Sequence, residues 1–175
     1  MANGIEIKGR QANLCPYSDA YREMGLSWYN DPEIIALTSD DPDPLTPEQF
    51  EQIIQADLDS EQSVVFGVTD EDDRPIGIAM LRTVDRTHRS ADLHITIGER
   101  ARWGKGYGAE AIRLMCDHAF GNLELHKVIS TPFAFNTRMI RCLHKCGFQR
   151  EGLLREALWI GERFIDVEIL GRINP

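Results

Sequence analysis

Long hydrophobic runs are missing from this chain. No stretch approaches the roughly 18–20 apolar residues of a membrane-spanning helix. A basic excess is missing too: 19 Lys and Arg stand against 28 Asp and Glu, a net charge of −9. That balance gives nucleic acid or an anionic membrane nothing to hold, and it would draw in a cationic substrate. Cysteine is scarce. Cys15, Cys116, Cys142 and Cys146 form no C-x-x-C pair. Cys142 and Cys146 lie four apart on a helical stretch, but His144 between them points about 160–200° away from both. No metal set results, and reduced thiols of a cytoplasmic protein are the expectation. Met1-Ala2-Asn3-Gly4 lacks the basic-then-apolar order of a signal peptide. Repeats, low-complexity segments and linkers are absent, so residues 1–175 read as one domain, long enough to bury a core.

What is present alternates between strand and helix patterns. Residues 5–8 alternate as a first strand. A helix begins at Ser18 or Asp19 and carries Tyr21, Met24, Trp28 and Tyr29; Asn30-Asp31-Pro32 stops it. Asp40-Asp41-Pro42-Asp43-Pro44 is a rigid acidic loop, and Thr46-Pro47-Glu48-Gln49 has the pattern of a capping box opening a second helix. Residues 63–68 and 76–81 flank a polar turn as a hairpin. Residues 91–97 form the next strand, with Asp92, His94 and Thr96 on one face and Leu93, Ile95 and Ile97 on the other. A helix follows at about 106–120. A strand at 127–132 runs parallel to 91–97 because a helical crossover joins them. Another helix follows Asn136 and runs to about Cys146, ending at Gly147, and strands follow from Phe148, around 158–164 and at 167–171.

Trp103-Gly104-Lys105-Gly106-Tyr107-Gly108 sits where strand turns into helix. Backbone N–H groups there lack intrahelical partners, and the helix dipole favours an anion. Glycine lets backbone approach a ligand closely. The stretch reads as a pyrophosphate cradle. It is not a P-loop, since no Lys-Ser or Lys-Thr pair follows, nor a G-x-G-x-x-G dinucleotide turn. Downstream, Asn136 to Phe148 reads N-x-x-M-x-x-x-L-x-K-x-G-F, with Lys145, Gly147 and Phe148 at fixed offsets.

Together the two motifs resemble those of the GNAT acetyltransferase superfamily, whose loop is written Q/R-x-x-G-x-G/A and whose second signature is N-x-x-S/A-x-x-x-Y/L-x-K-x-G-F. Trp103 departs from the Q/R place and Met139 from the small one. Trp-Gly-Lys-Gly-Tyr, Trp28-Tyr29-Asn30-Asp31-Pro32 and residues 151–166 are similar to the branch of ribosomal-protein N-terminal acetyltransferases of the Rim type.

The resemblance implies a mixed α/β (α+β) fold: a twisted mixed sheet of six or seven strands, about four helices, and two parallel strands splayed around a pantetheine arm. It implies acetyl-CoA as co-substrate, no metal, and acetyl transfer to a primary amine by direct attack, without an acyl-enzyme. The acceptor would be a protein N-terminus or a small-molecule amine. A polyamine or antibiotic acetyltransferase, and a non-catalytic acyl-CoA sensor, remain as alternatives; so does a homodimer. Arg102, Trp103, Gly104, Lys105, Gly106, Tyr107 and Gly108 would bind the cofactor, with Asn136 and Lys145. Asn136 reads equally as a helix N-cap. The Ile97 N–H would polarise the thioester carbonyl. Trp28, Asn30 and Asp31 would border the acceptor, or simply end a helix. Leu143 stands where many members carry the tyrosine that protonates the thiolate, which leaves the acid unassigned. Asp92 or His94 would serve as base; both also read as ordinary strand residues. An α-amine with pKa near 8 is about one-tenth neutral at pH 7, against about one in 2,500 for a lysine-like amine, so modest base help suits an α-amine or amino sugar best.

Overall fold

The computed structural model describes residues 4–175; Met1, Ala2 and Asn3, part of the N-terminal stretch read above, lie outside the described residues. The elements are β1 (Ile7–Lys8), β2 (Ala12–Pro16), α1 (Ala20–Tyr29), α2 (Pro32–Thr38), α3 (Pro47–Asp59), β3 (Val64–Asp70), β4 (Pro75–Asp85), β5 (Ser90–Ile97), a 3-10 turn (Arg100–Arg102), α4 (Tyr107–Gly121), β6 (Lys127–Ser130), α5 (Thr137–Lys145), β7 (Gln149–Ile160) and β8 (Arg163–Ile173). All eight strands join one mixed sheet in the order β1-β2-β3-β4-β5-β6-β8-β7. The expected mixed architecture holds, with eight strands and five α-helices among the described residues rather than six or seven and about four.

The additions have local reasons. β2 is short, ends on Pro16 and has its first three residues buried, so its sequence shows no alternation. α2 begins inside the segment read as a stop. The Asp31 side chain accepts from the Glu33 N–H at 2.9 Å, and Pro32 fills the first helical position, where no N–H is needed. The capping box at Thr46 and Gln49 forms as read.

Helices cover both faces of the sheet. α4 and α5 bury Ile112, Met115 and Leu143 against Phe66, Leu81 and Leu93. On the other face α1, α2 and α3 bring Tyr21, Trp28, Ile34, Phe50 and Ile54 onto Val65, Ile78 and Met80. α1 lies directly on the strands because two positions carry no side chain. A Cβ on Gly67 would fall 2.1 Å from Tyr21 Cζ, and one on Gly98 would fall 1.9 Å from Trp28 Cγ.

β5 and β6 pair in parallel only over Ser90↔Lys127, Ala91↔Val128 and Asp92↔Ile129. Beyond that point each strand keeps its outer partner. β5 stays on β4 as far as Gly77↔Ile97. The chain after β6 stays on β8: the Glu168 N–H donates to Pro132 O at 3.0 Å, and the Ala134 N–H donates to Asp166 O at 2.9 Å. The sheet therefore opens between Leu93–Ile97 and residues 131–134. No helix among the described residues is long and apolar enough to cross a membrane.

Candidate active site

The opening of the sheet leads into a cavity of about 660 Å³. Its walls are Ile95, Thr96 and Ile97 of β5, the glycine loop, the first turns of α4, Ile34, Leu37 and Thr38 of α2, and one side of α5. Successive residues of a strand turn their N–H and C=O to opposite edges. The Gly98 N–H donates to Ile76 O on the β4 side at 2.9 Å. Ile97, Ile95 and Leu93 therefore turn theirs into the opening. Ser130 Oγ donates to Leu93 O at 3.2 Å, and Trp103 Nε1 donates to Ile97 O at 2.6 Å. The Ile97 N–H and both backbone groups of Ile95 face the cavity, where an amide-bearing arm could pair with them as an added strand does.

At the far end stands the start of α4. Gly106 is its N-cap residue in a left-handed conformation (φ 101°), and no side chain caps the helix. The N–H groups of Tyr107, Gly108 and Ala109 have no intrahelical acceptor available to them. A side chain at Gly106 would be strained in φ, and its Cβ would lie 2.5 Å from Gln11 Nε2. The loop is braced from behind. The Glu110 carboxylate accepts the N–H groups of Arg10, Gln11 and Ala12 at 2.5, 3.0 and 3.2 Å, and Gln11 Nε2 donates to Lys105 O at 3.2 Å. Cations gather around the cavity despite the acidic chain: Arg10, Arg102, Arg113, Arg138, Arg141 and Lys145 all line it. Arg138 stacks on the Trp103 ring at 3.9 Å. Uncapped amides and clustered cations suit a diphosphate, and the opened strand suits a pantetheine arm.

Of the residues expected to bind the cofactor, Ile97, Arg102, Trp103, Gly104, Gly106, Gly108, Asn136 and Lys145 line the cavity. Lys105 and Tyr107 do not. Lys105 offers its carbonyl to Gln11, and the Tyr107 hydroxyl turns to Arg102 and Glu71. Asn136 caps α5 through Oδ1 to the Met139 N–H (3.1 Å) and donates Nδ2 to Leu37 O on α2 (3.2 Å).

Trp28, Asn30 and Asp31 lie outside the cavity, in supporting places. Trp28 is buried beneath Gly98. Asn30 bonds both backbone groups of Leu45, and Asp31 caps α2. Asp92 and His94 also lie outside, on the face of β5 that looks to α1 and α3. Asp92 accepts from Thr83 Oγ1 at 2.6 Å. His94 pairs with Met80 across β4, two residues along the strand from the cavity-lining Thr96. Its side chain is exposed, and desolvation by the surrounding protein followed by the Arg82 charge pushes its pKa down. Arg82 itself is gripped by the Asp57 carboxylate. Sequence reasoning missed Gln11, Glu110, Arg113 and Arg138. Only the basic residues of α5 gave a signal, through their spacing along one helix side.

The four cysteines are free, and no metal-binding cluster exists among the described residues. Cys142 lines the cavity; its hydrogen bond to Cys146, and then burial, push its thiol up.

The sequence matches the family model described as an acetyltransferase (GNAT) domain over residues 13–149. A probable N-acetyltransferase of Bacillus subtilis, YjcK, is 33% identical over 122 residues, 69% of this chain and 67% of the relative. A spermidine N(1)-acetyltransferase of Vibrio cholerae is 29% identical over 121 residues, 69% of each chain. The crystal structure of spermidine N-acetyltransferase from Vibrio cholerae in complex with CoA and spermine superposes with a TM-score of 0.85 at 24% identity, covering 93% of this chain and 95% of that one, and shows the same fold. The chain belongs to the GNAT acetyltransferase family, and it is an N-acetyltransferase whose acyl donor is acetyl-CoA.

Proposed function

We propose that the enzyme acetylates a primary amine of a small cationic molecule, of the polyamine or amino-sugar kind, by direct attack on the thioester. The observation that carries the donor half of this reading is the opened β5–β6 edge running into the uncapped start of α4. The acceptor half is supported by charge. The net charge is −9, and Asp40, Asp41 and Asp43 form an acidic loop directly after α2, the helix that walls the cavity. A relative named for spermidine acetylation is consistent with it. A protein N-terminal amine is the second reading, favoured by the Trp-Gly-Lys-Gly-Tyr loop and by Leu143, which is fully buried and offers no hydroxyl.

Within this proposal Ile97 donates its N–H to the thioester carbonyl. His94, whose depressed pKa keeps it neutral near pH 7, takes the amine proton directly or through one water. Asp92 is the weaker candidate, because Thr83 already holds its carboxylate. Four free thiols suit a reducing compartment such as the cytoplasm.

The test is CoA-thiol release from acetyl-CoA with spermidine, an aminoglycoside, free amino acids and a short peptide bearing a free N-terminus. Release with the first two supports the proposal. Release with the peptide alone establishes the second reading. CoA binding without turnover on any of these amines would overturn the proposed acceptor class.

A further inference from the structure

Asp70 is fully buried at the end of β3, yet it is a carboxylate with no place in the donor cavity. Its Oδ1 accepts the N–H groups of Asp72 and Arg74, each at 3.0 Å, which fixes the β3–β4 turn. Its Oδ2 takes the Arg102 guanidinium through Nη2. Arg102 Nη1 then donates to the Tyr107 hydroxyl at 3.0 Å, and that hydroxyl donates to Glu71 Oε2 at 2.7 Å. The bond is felt at both ends: it holds the Glu71 carboxyl below its ordinary pKa, after a backbone hydrogen bond, and pushes the Tyr107 phenol up. Four side chains thus run unbroken from a surface turn to the first residue of α4.

We infer that Asp70 is a positioning residue for the acyl donor, acting through Arg102 and Tyr107 to hold the amides at the start of α4 in their anion-binding orientation. The inference rests on the reading of the cavity as the CoA site. Three features carry it. Arg102 lines the cavity while two of its nitrogens are already engaged, so its plane is set before any ligand arrives. Tyr107 is itself the first residue of α4, next to Gly106 with its left-handed backbone. And an unpaired carboxylate this deeply buried is unfavourable, so the pair with Arg102 is strongly held. Fixing both donors in advance lowers the ordering cost of binding.

The test is calorimetric titration of CoA, and of S-acetylpantetheine, which lacks the diphosphate, into wild type, Asp70→Asn, Tyr107→Phe and the double variant. Asn keeps an acceptor for the turn amides but releases Arg102. Asp70→Asn should weaken CoA about tenfold with unchanged stoichiometry, and Tyr107→Phe should weaken it less. The double variant should lose less than the sum, since both act through one loop. Affinity for S-acetylpantetheine should not move. Unchanged CoA affinity in both variants overturns the inference. So does tighter binding by Asp70→Asn, which would mean that Asp70 merely cancels the Arg102 charge. A role in folding alone would lower the active fraction without changing affinity. If Asp70→Asn does not fold, Tyr107→Phe decides. Wild type that fails to bind CoA would defeat the reading of the cavity, a separate result.

Discussion

His94 is where chemistry at the scale of single residues can be read most simply. Its pKa lies below the ordinary imidazole value near 6.5, because the charged form loses hydration and meets Arg82. The form that accepts a proton is the neutral one. It is the majority form above pH 6.5 and disappears as pH falls through the depressed pKa. The acid limb of kcat, which reports groups in the bound complex, should therefore lie below pH 6.5, and His94→Gln should remove it together with about a hundredfold of rate. A pH–rate profile unchanged in His94→Gln would place the base elsewhere. At this scale the sequence shows which residues are present and not where their polar ends go. Tyr107 sits inside a legible glycine motif, but its hydroxyl turns to Glu71, a contact spanning 36 positions that no spacing rule reveals. In the sequence Asn136 fits both an N-cap and a ligand; the structure shows the cap, with the second amide atom spent on Leu37.

At the scale of elements, α2 matters most, since Ile34, Leu37 and Thr38 wall the cavity. It has seven residues and depends on its start. Asp31 caps it and also approaches Arg100 Nε at 3.4 Å. Asp31→Ala should destabilise the protein by about 1 kcal/mol, and Asp31→Ser should recover most of this. Thermal unfolding should show a midpoint about 2–4 °C lower for the alanine variant. Equal midpoints for wild type and Asp31→Ala would mean that α2 is held by packing alone. The start of α3 was legible because Thr46 and Gln49 have no competing reading. The start of α2 was hidden because Asn-Asp-Pro stops one helix and begins the next with the same residues. β2 was hidden because it is buried along its first half and therefore lacks the alternation that marks a half-exposed strand.

At the scale of the molecule, the site is made by a disagreement between two halves of one sheet. β1 to β5 follow β4, while β6 to β8 follow the long β7–β8 hairpin, and they part after Asp92↔Ile129. The parallel pairing of β5 and β6 was readable from the helical crossover between them. The parting was not, since it depends on β8 holding Pro132 and Ala134, about thirty-five residues earlier in the chain. The family resemblance supplied it instead. The central claim is that acetyl-CoA lies in this parting, with its arm paired to β5 and its diphosphate on α4. Backbone amide hydrogen exchange with and without CoA measures that directly. Protection should rise at Ile95, Ile97, Tyr107, Gly108 and Ala109, while β1 and β2 stay as they were. Protection that appears elsewhere, with Ile95 and Ile97 still exchanging at their free rates, would contradict the account.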